Sequence, residues 1–221
     1  MHRWVYNGLM PDILRLSETG LSLLVERCVE LLKRGGLAVF PTDTVYGLAA
    51  KADDRAAVAK MKQVKGSDSQ RAMVVMVSSP LEASQLISPR ERRSFRRLAS
   101  LWPGPLTLVA RAGDVPWRSN VAPAVETLGI RIPEQPFLLQ VLELSGPLAV
   151  TSANLAGGKA TASFRELDER LLALVDVAVD GGNCGSGKPS TVAELRNGEF
   201  TILRQGEITE ENLHGEPSKY D

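Results

Sequence analysis

Histidine and cysteine are scarce in this chain of 221 residues, with two of each. His2 and His214 sit near the two ends, so a Ser/His/Asp triad or a histidine-built metal site lacks its central residue. Cys28 and Cys184 stand in no CxxC or Cys/His spacing, which argues against structural zinc and for a reducing compartment. Net charge is missing too: 26 basic and 26 acidic side chains cancel. No global field draws the chain to nucleic acid or a membrane, and an RNA contact must come from a local patch. No apolar run reaches the length of a membrane span, and the amino terminus has no apolar signal core. A cytosolic protein is expected. What is present is 43% hydrophobic content, enough for a substantial core in one domain or two closely packed ones.

The stretch that organises the rest is Pro147-Leu-Ala-Val-Thr-Ser-Ala-Asn154, followed by Leu155-Ala156-Gly157-Gly158. Leu148, Ala149 and Val150 read as the end of a strand buried on both faces. Thr151, Ser152 and Asn154 then supply donors and acceptors without bulk, at the strand end where open α/β sheets bind ligands. An ordinary polar turn has the same composition. A second such place follows the strand Leu37–Phe40, in the loop Pro41-Thr-Asp-Thr-Val-Tyr-Gly47.

Between these stretches the pattern predicts alternating elements. Asp12–Leu16 fits an edge strand, and Ser17, Glu18 or Thr19 can cap a helix whose stripe runs from Leu21 to Leu32 and stops at Gly35-Gly36. Asp53 or Asp54 caps a second helix ending at Lys65-Gly66. Ala72–Val77, Leu106–Ala110, Leu128–Ile132, Val175–Val179, Pro189–Ala193 and Glu199–Arg204 read as strands. Pro89–Leu101, Gln135–Leu144 and Phe164–Leu174 read as helices, and 113–127 as irregular. A short helix and a loose tail are expected at the carboxyl end. Lys65 and Arg71 flank a loop where they can converge on an anion. Arg90, Arg92, Arg93, Arg96 and Arg97 crowd one helix, as a solvated face or a grip on a phosphate backbone. Arg131, set between isoleucines, needs a partner: a substrate carboxylate or phosphate, or an internal acid. Gly182–Lys188 has the glycine and lysine spacing of a phosphate loop, but Pro189 stands at its Ser/Thr position and a strand follows, so a glycine turn delivering Ser190 is expected.

Phe40-Pro-Thr-Asp-Thr-Val-Tyr-Gly-Leu48, Trp102-Pro-Gly-Pro-Leu-Thr107, Gly129-Ile-Arg-Ile-Pro133, Thr151-Ser-Ala-Asn154, Pro189-Ser-Thr-Val192 and Arg204-Gln-Gly206 occur in an order that resembles the threonylcarbamoyl-AMP synthase (YrdC-like) family. The likeness covers roughly residues 20–206. It implies an α/β fold with a twisted, mostly parallel mixed sheet and flanking helices around a large concave cleft. It implies one domain over 1–206 with 207–221 as a tail. The activity implied is synthesis of threonylcarbamoyl-adenylate from L-threonine, bicarbonate and ATP, with Mg2+, for modification of tRNA. By the same resemblance Lys65 is the catalytic cation. Ser67, Arg71, Ser152, Asn154 and Arg204 fall at nucleotide-binding positions, and Thr44, Met76, Arg131 and Ser190 at threonine-binding ones.

Three departures from the family pattern stand out. Lys65-Gly-Ser67-Asp68 replaces the family's Lys-x-Arg-Pro, Met76 stands where a histidine is common, and Ala156 replaces a frequent serine. A non-catalytic or YciO-type relative that binds RNA or nucleotide through the cleft and the Arg90–Arg97 helix is the alternative. The resemblance also implies partner proteins of the tRNA-modification pathway.

Overall fold

The computed structural model describes residues 11–66 and 72–214; the expected positions Ser67 and Arg71 lie outside them. In chain order the elements are β1 (Asp12–Arg15), α1 (Leu21–Lys33), β2 (Ala38–Phe40), β3 (Gly47–Lys51), α2 (Arg55–Lys65), β4 (Val74–Met76), α3 (Pro80–Leu86), α4 (Arg92–Ala99), β5 (Leu106–Arg111) and α5 (Arg118–Val121). They continue with β6 (Thr127–Arg131), α6 (Pro136–Ser145), β7 (Leu148–Ser152), a 3-10 turn (Phe164–Glu166), α7 (Glu169–Leu172), β8 (Val177–Asp180), β9 (Thr191–Arg196), β10 (Glu199–Arg204) and α8 (Glu210–His214).

The strands form a single sheet in the order β1-β8-β2-β3-β7-β4-β6-β5-β9-β10. Parallel neighbours are β1/β8, β2/β8, β4/β6 and β5/β9. Antiparallel neighbours are β2/β3, β3/β7, β4/β7, β5/β6 and β9/β10. Of the expected sheet it is therefore the mixed character that prevails, because β3 and β7 run against the strands beside them. β1 takes the expected edge position.

Residue parity assigns the two faces. Ala38, Phe40, Ala49, Met76, Leu148, Val150, Val177 and Val179 pack under α1 and α6 in one apolar cluster. The alternate residues Val39, Leu48, Ala50, Val75, Ala149 and Ala178 pack in a second cluster with α2, α3, α4, α5, α7 and α8. The first cluster draws nothing from β5, β6, β9 or β10, so helical cover on that face stops beyond β4. This half-covered face holds the cavity described below.

Several local expectations give way to competing hydrogen bonds. Ser17, Glu18 and Thr19 do not cap α1; the Glu18 and Thr19 amides bond the Arg15 carbonyl in a turn, and Gly20 is the cap residue. Asp54 does cap α2, accepting from the Ala57 amide at 3.0 Å. The helix expected over Phe164–Leu174 is broken, because Leu167 and Asp168 are extended and the Asp168 carboxylate caps the Arg170 amide at 2.9 Å to start α7 afresh. That side-chain option is the reason aspartate opposes helix interiors. The helix expected from Pro89 begins only at Arg92, behind a turn in which the Glu91 amide bonds the Ser88 carbonyl. β3 and α3 lie where no element was read, and α5 interrupts the irregular stretch. The short helix expected near the carboxyl end is α8, and Leu213 buries itself in the second cluster. Among the described residues no helix is long and apolar enough to cross a membrane.

Candidate active site

β2 delivers the chain into Pro41–Tyr46, where Thr42 and Thr44 are buried. Thr42 Oγ1 donates to the Val45 carbonyl (2.7 Å) and accepts from the Thr44 amide (3.1 Å), so the threonine side chain closes its own turn. The two hydroxyls lie 3.0 Å apart. β6 then brings a cation to this loop. Met76 pairs with Arg131 in the parallel ladder, placing both on the half-covered face.

Arg131 is 4% exposed. Its Nη2 donates to Asp43 Oδ1 at 2.7 Å, Nη1 to Thr44 Oγ1 at 2.9 Å and Nε to the Gly104 carbonyl at 3.3 Å. The sequence leaves the partner of Arg131 open between a substrate anion and an internal acid; the internal acid is Asp43. The pair nonetheless stands at the cleft, for the cavity that Arg131 lines also includes Ser152. A guanidinium has five N–H donors, and the described bonds use three of them. Asp43 Oδ2 is buried with no hydrogen-bond partner among the described residues.

A second guanidinium enters from the last hairpin. Arg204, at the end of β10, donates through Nε (3.1 Å) and Nη2 (2.8 Å) to the Ser190 carbonyl, and through Nη2 to Ser190 Oγ at 3.2 Å. Ser190 Oγ lies 2.8 Å from Thr107 Oγ1 on β5. Burial, and then the positive charge of Arg131, press the Arg204 pKa down. Two arginines thus face one cavity, with the acid Asp43 bonded to Arg131, which makes the space favourable for an anion.

On the other side stands Lys65, in the last turn of α2. Its Nζ donates to the Ser152 carbonyl (2.8 Å), the Asn154 carbonyl (2.6 Å) and Asn154 Oδ1 (2.7 Å), with Ser152 Oγ at 3.3 Å. An ammonium has three protons, so the longest of these contacts is shared. Ser152 Oγ is itself 2.5 Å from Asn154 Oδ1, and Asn154 Nδ2 donates to the Leu155 (2.9 Å) and Gly158 (2.7 Å) carbonyls. Lys65 therefore braces the turn after β7 from behind.

One cavity of about 270 Å³ collects most of these groups. Thr44, Met76, Arg131, Ser152, Ser190 and Arg204 line it together, although they come from positions scattered along the chain. Lys65 and Asn154 touch Ser152 without being among the lining residues. Met76, 4% exposed, contributes a thioether wall beside Val74 and Val150. Sequence reading singled out neither Thr42 nor Thr107 as a site residue. For Thr107 a signal exists: like Arg131, it is a polar residue flanked by apolar ones in a strand. For Val74 and Val150 there is none, since nothing distinguishes them from core valines. Among the described residues no three His, Cys, Asp or Glu side chains cluster as a metal site.

Comparison with known proteins adds the following. Residues 30–206 match the Sua5/YciO/YrdC family model, described as telomere recombination. The threonylcarbamoyl-AMP synthase of Bacillus subtilis is 33% identical over 86% of this chain and 55% of its own length. That of Pyrococcus abyssi is 32% identical over 82% of this chain and 54% of its own. The chain spans about half the length of these curated relatives. Among solved structures, P. abyssi Sua5 complexed with L-threonine superposes with a TM-score of 0.83 at 28% identity, covering 94% of this chain and 62% of that one. Escherichia coli YciO gives 0.75 at 26% identity, covering 89% and 95%. With the matched model running from within α1 to the end of the Arg204-Gln-Gly206 motif, the chain belongs to the Sua5/YciO/YrdC family.

Proposed function

We propose that the chain condenses L-threonine, bicarbonate and ATP into threonylcarbamoyl-adenylate, an intermediate for tRNA modification in the cytoplasm. The observation that carries this reading is the convergence of two guanidiniums, Arg131 and Arg204, on a hydroxyl-lined cavity beside Ser152. The reaction joins the threonine amine to bicarbonate with loss of water. A carbamate oxygen then attacks the α-phosphate while the bond to pyrophosphate breaks. Such chemistry asks for orientation and for cations near developing charge, not for a nucleophilic side chain.

In this reading the two unused donors of Arg131 take the threonine carboxylate, with Thr44 and Ser190 beside it. Met76, Val74 and Val150 form the apolar wall. Ser152 and Asn154 meet the nucleotide. Lys65 holds their turn in place and brings positive charge to the phosphate side, and Arg204 adds a second nucleotide contact. Ser67 and Arg71, outside the described residues, take nucleotide-binding roles by their sequence positions alone. Magnesium would enter with ATP and offset phosphate charge; among the described residues no cluster of three His, Cys, Asp or Glu stands ready to hold it. The unit that does this is residues 1–206, with 207–221 as its tail.

The test is pyrophosphate release by purified protein. Release that requires both threonine and bicarbonate is expected. Release independent of threonine, or none at all, overturns the reading. A second reading, a non-catalytic or YciO-type relative that binds nucleotide or RNA, is favoured by the arginine missing from Lys65-Gly-Ser67-Asp68; ATP binding without pyrophosphate release is its expected outcome.

A further inference from the structure

The glycine-rich segment 181–188 is left over by the proposed chemistry. It has the spacing of a phosphate loop, yet it packs against protein backbone. Gly185 has φ +57°, and a Cβ placed there would lie 2.4 Å from both the Asp43 carbonyl carbon and the Thr44 nitrogen, and 2.6 Å from the Asp43 oxygen. The Gly187 amide donates to the Thr44 carbonyl at 3.0 Å. On its far side the segment is tied down as well. The Cys184 amide bonds the Ala162 carbonyl at 2.7 Å, and Asn183 bridges Ser163. Tyr46, fully buried, donates its hydroxyl to the Gly182 carbonyl (3.0 Å) and accepts from the Gly181 amide (3.1 Å).

The contact at Gly185 is backbone against backbone. No flexible side-chain tip is available to yield, so the glycine position sets where Asp43 and Thr44 can be. Those two residues accept from Nη2 and Nη1 of Arg131. We propose that segment 181–188 is a strap that shapes the amino-acid half of the cavity, with Gly185 as its positioning residue acting on Arg131 through Asp43 and Thr44. The proposal rests on the threonine reading above and goes beyond it by giving the strap a selective effect. The nucleotide half, in contrast, is braced from α2 and β7 through Lys65, Ser152 and Asn154.

A matched pair of glycines separates this role from ordinary backbone strain. Gly182 also has positive φ, +67°, but a Cβ there meets nothing within 4 Å. Gly182→Ala and Gly185→Ala therefore carry similar left-handed strain, and only the second displaces Asp43 and Thr44. Calorimetric titration of wild type and both variants with L-threonine and, separately, with MgATP reads the difference. Gly185→Ala is expected to weaken threonine binding by more than about tenfold relative to Gly182→Ala, with ATP affinity unchanged within about twofold. Equal threonine affinity in the two variants overturns the proposal, and so does parallel loss of both ligands in Gly185→Ala.

If Gly185→Ala does not fold, Tyr46→Phe loosens the strap without adding bulk, by deleting its bonds to Gly181 and Gly182. Weaker threonine binding with intact ATP binding is expected there, and unchanged threonine binding overturns the proposal. A wild-type protein that binds no threonine overturns the functional reading, and the strap's role falls with it. A wild type that binds threonine beside an indifferent Gly185→Ala overturns the strap alone.

Discussion

At the scale of single residues, the most consequential interaction is the buried pair of Asp43 and Arg131, with side chains 10% and 5% exposed. Breaking a buried ion pair by removing one partner leaves an uncompensated charge and costs about 3–5 kcal/mol. Asp43→Ala is thus expected to lower unfolding stability by that amount in denaturant titration and to abolish threonine binding. Asp43→Asn, which keeps an acceptor for Arg131, is expected to lose less of both. Ser67 supplies a second prediction, from the sequence. The family's arginine is missing there while Lys65 remains, so Ser67→Arg is expected to tighten ATP binding by about 1.5–3 kcal/mol, the worth of one charge-assisted hydrogen bond. Asp68 competes for the new side chain, so the gain should grow when Asp68→Pro is added. Calorimetry on the single and double variants checks it, and no gain in either variant refutes it.

At the scale of elements, α1 carries a pH signature. Cys28 is fully buried on its inner face. Burial, and secondarily the Asp12 charge, push its thiol from 9.0 up to about 12. In the folded state the thiol keeps its proton through this range, while the unfolded chain releases it above about pH 9. The unfolded state then binds fewer protons, so stability falls as pH rises from 9 towards 12. Cys28→Ala is expected to be less stable at neutral pH because of the cavity. Its stability should decline more gently above pH 9, by up to about 1.4 kcal/mol per pH unit. Denaturant midpoints across that range decide it, and parallel slopes for wild type and variant would count against it. The same burial makes Cys28 slow to react with thiol reagents in the native protein. The elements also show why local rules failed in places: Asp168 divides one expected helix because its carboxylate caps a new one within the segment.

At the scale of the molecule, the cavity is assembled from strands far apart in sequence, and ligands that join them should stabilise the whole fold. By linkage, a ligand at about a hundredfold its dissociation constant adds about 2.7 kcal/mol. For a chain of this size that corresponds to a rise in Tm on the order of 5–10 °C. Saturating threonine or MgATP is expected to produce such a shift, and the two together a larger one. Thermal melts with alanine in place of threonine supply the control, and a shift of the same size with alanine would exclude a threonine-selective site. If the second reading holds and Arg92, Arg93 and Arg96 grip RNA phosphates, that binding should be strongly salt-dependent.

Much of this was legible in the sequence because its cause is local. The edge strand at Asp12, a cap at Asp53 or Asp54, the buried strands ending at Phe40 and Val150, and the turn that delivers Ser190 all follow from periodicity and turn chemistry. The ordered motifs identified the family, and six of the expected site residues line one cavity. What the sequence left open were questions of partnership. A lone arginine in an apolar strand requires a counter-group, but only the meeting of β6 with the loop after β2 decides that Asp43 supplies it. Lysine at a helix end can reach an anion or a carbonyl, and only the approach of α2 to the turn after β7 makes Lys65 a brace for Ser152 and Asn154. A glycine run matches a phosphate loop in spacing, and only the 2.4 Å that would separate a Cβ at Gly185 from the Asp43 and Thr44 backbone shows that backbone occupies the space beside it. Local order is dictated by neighbours in the chain, whereas burial, charge pairing and close packing are decided by neighbours in space.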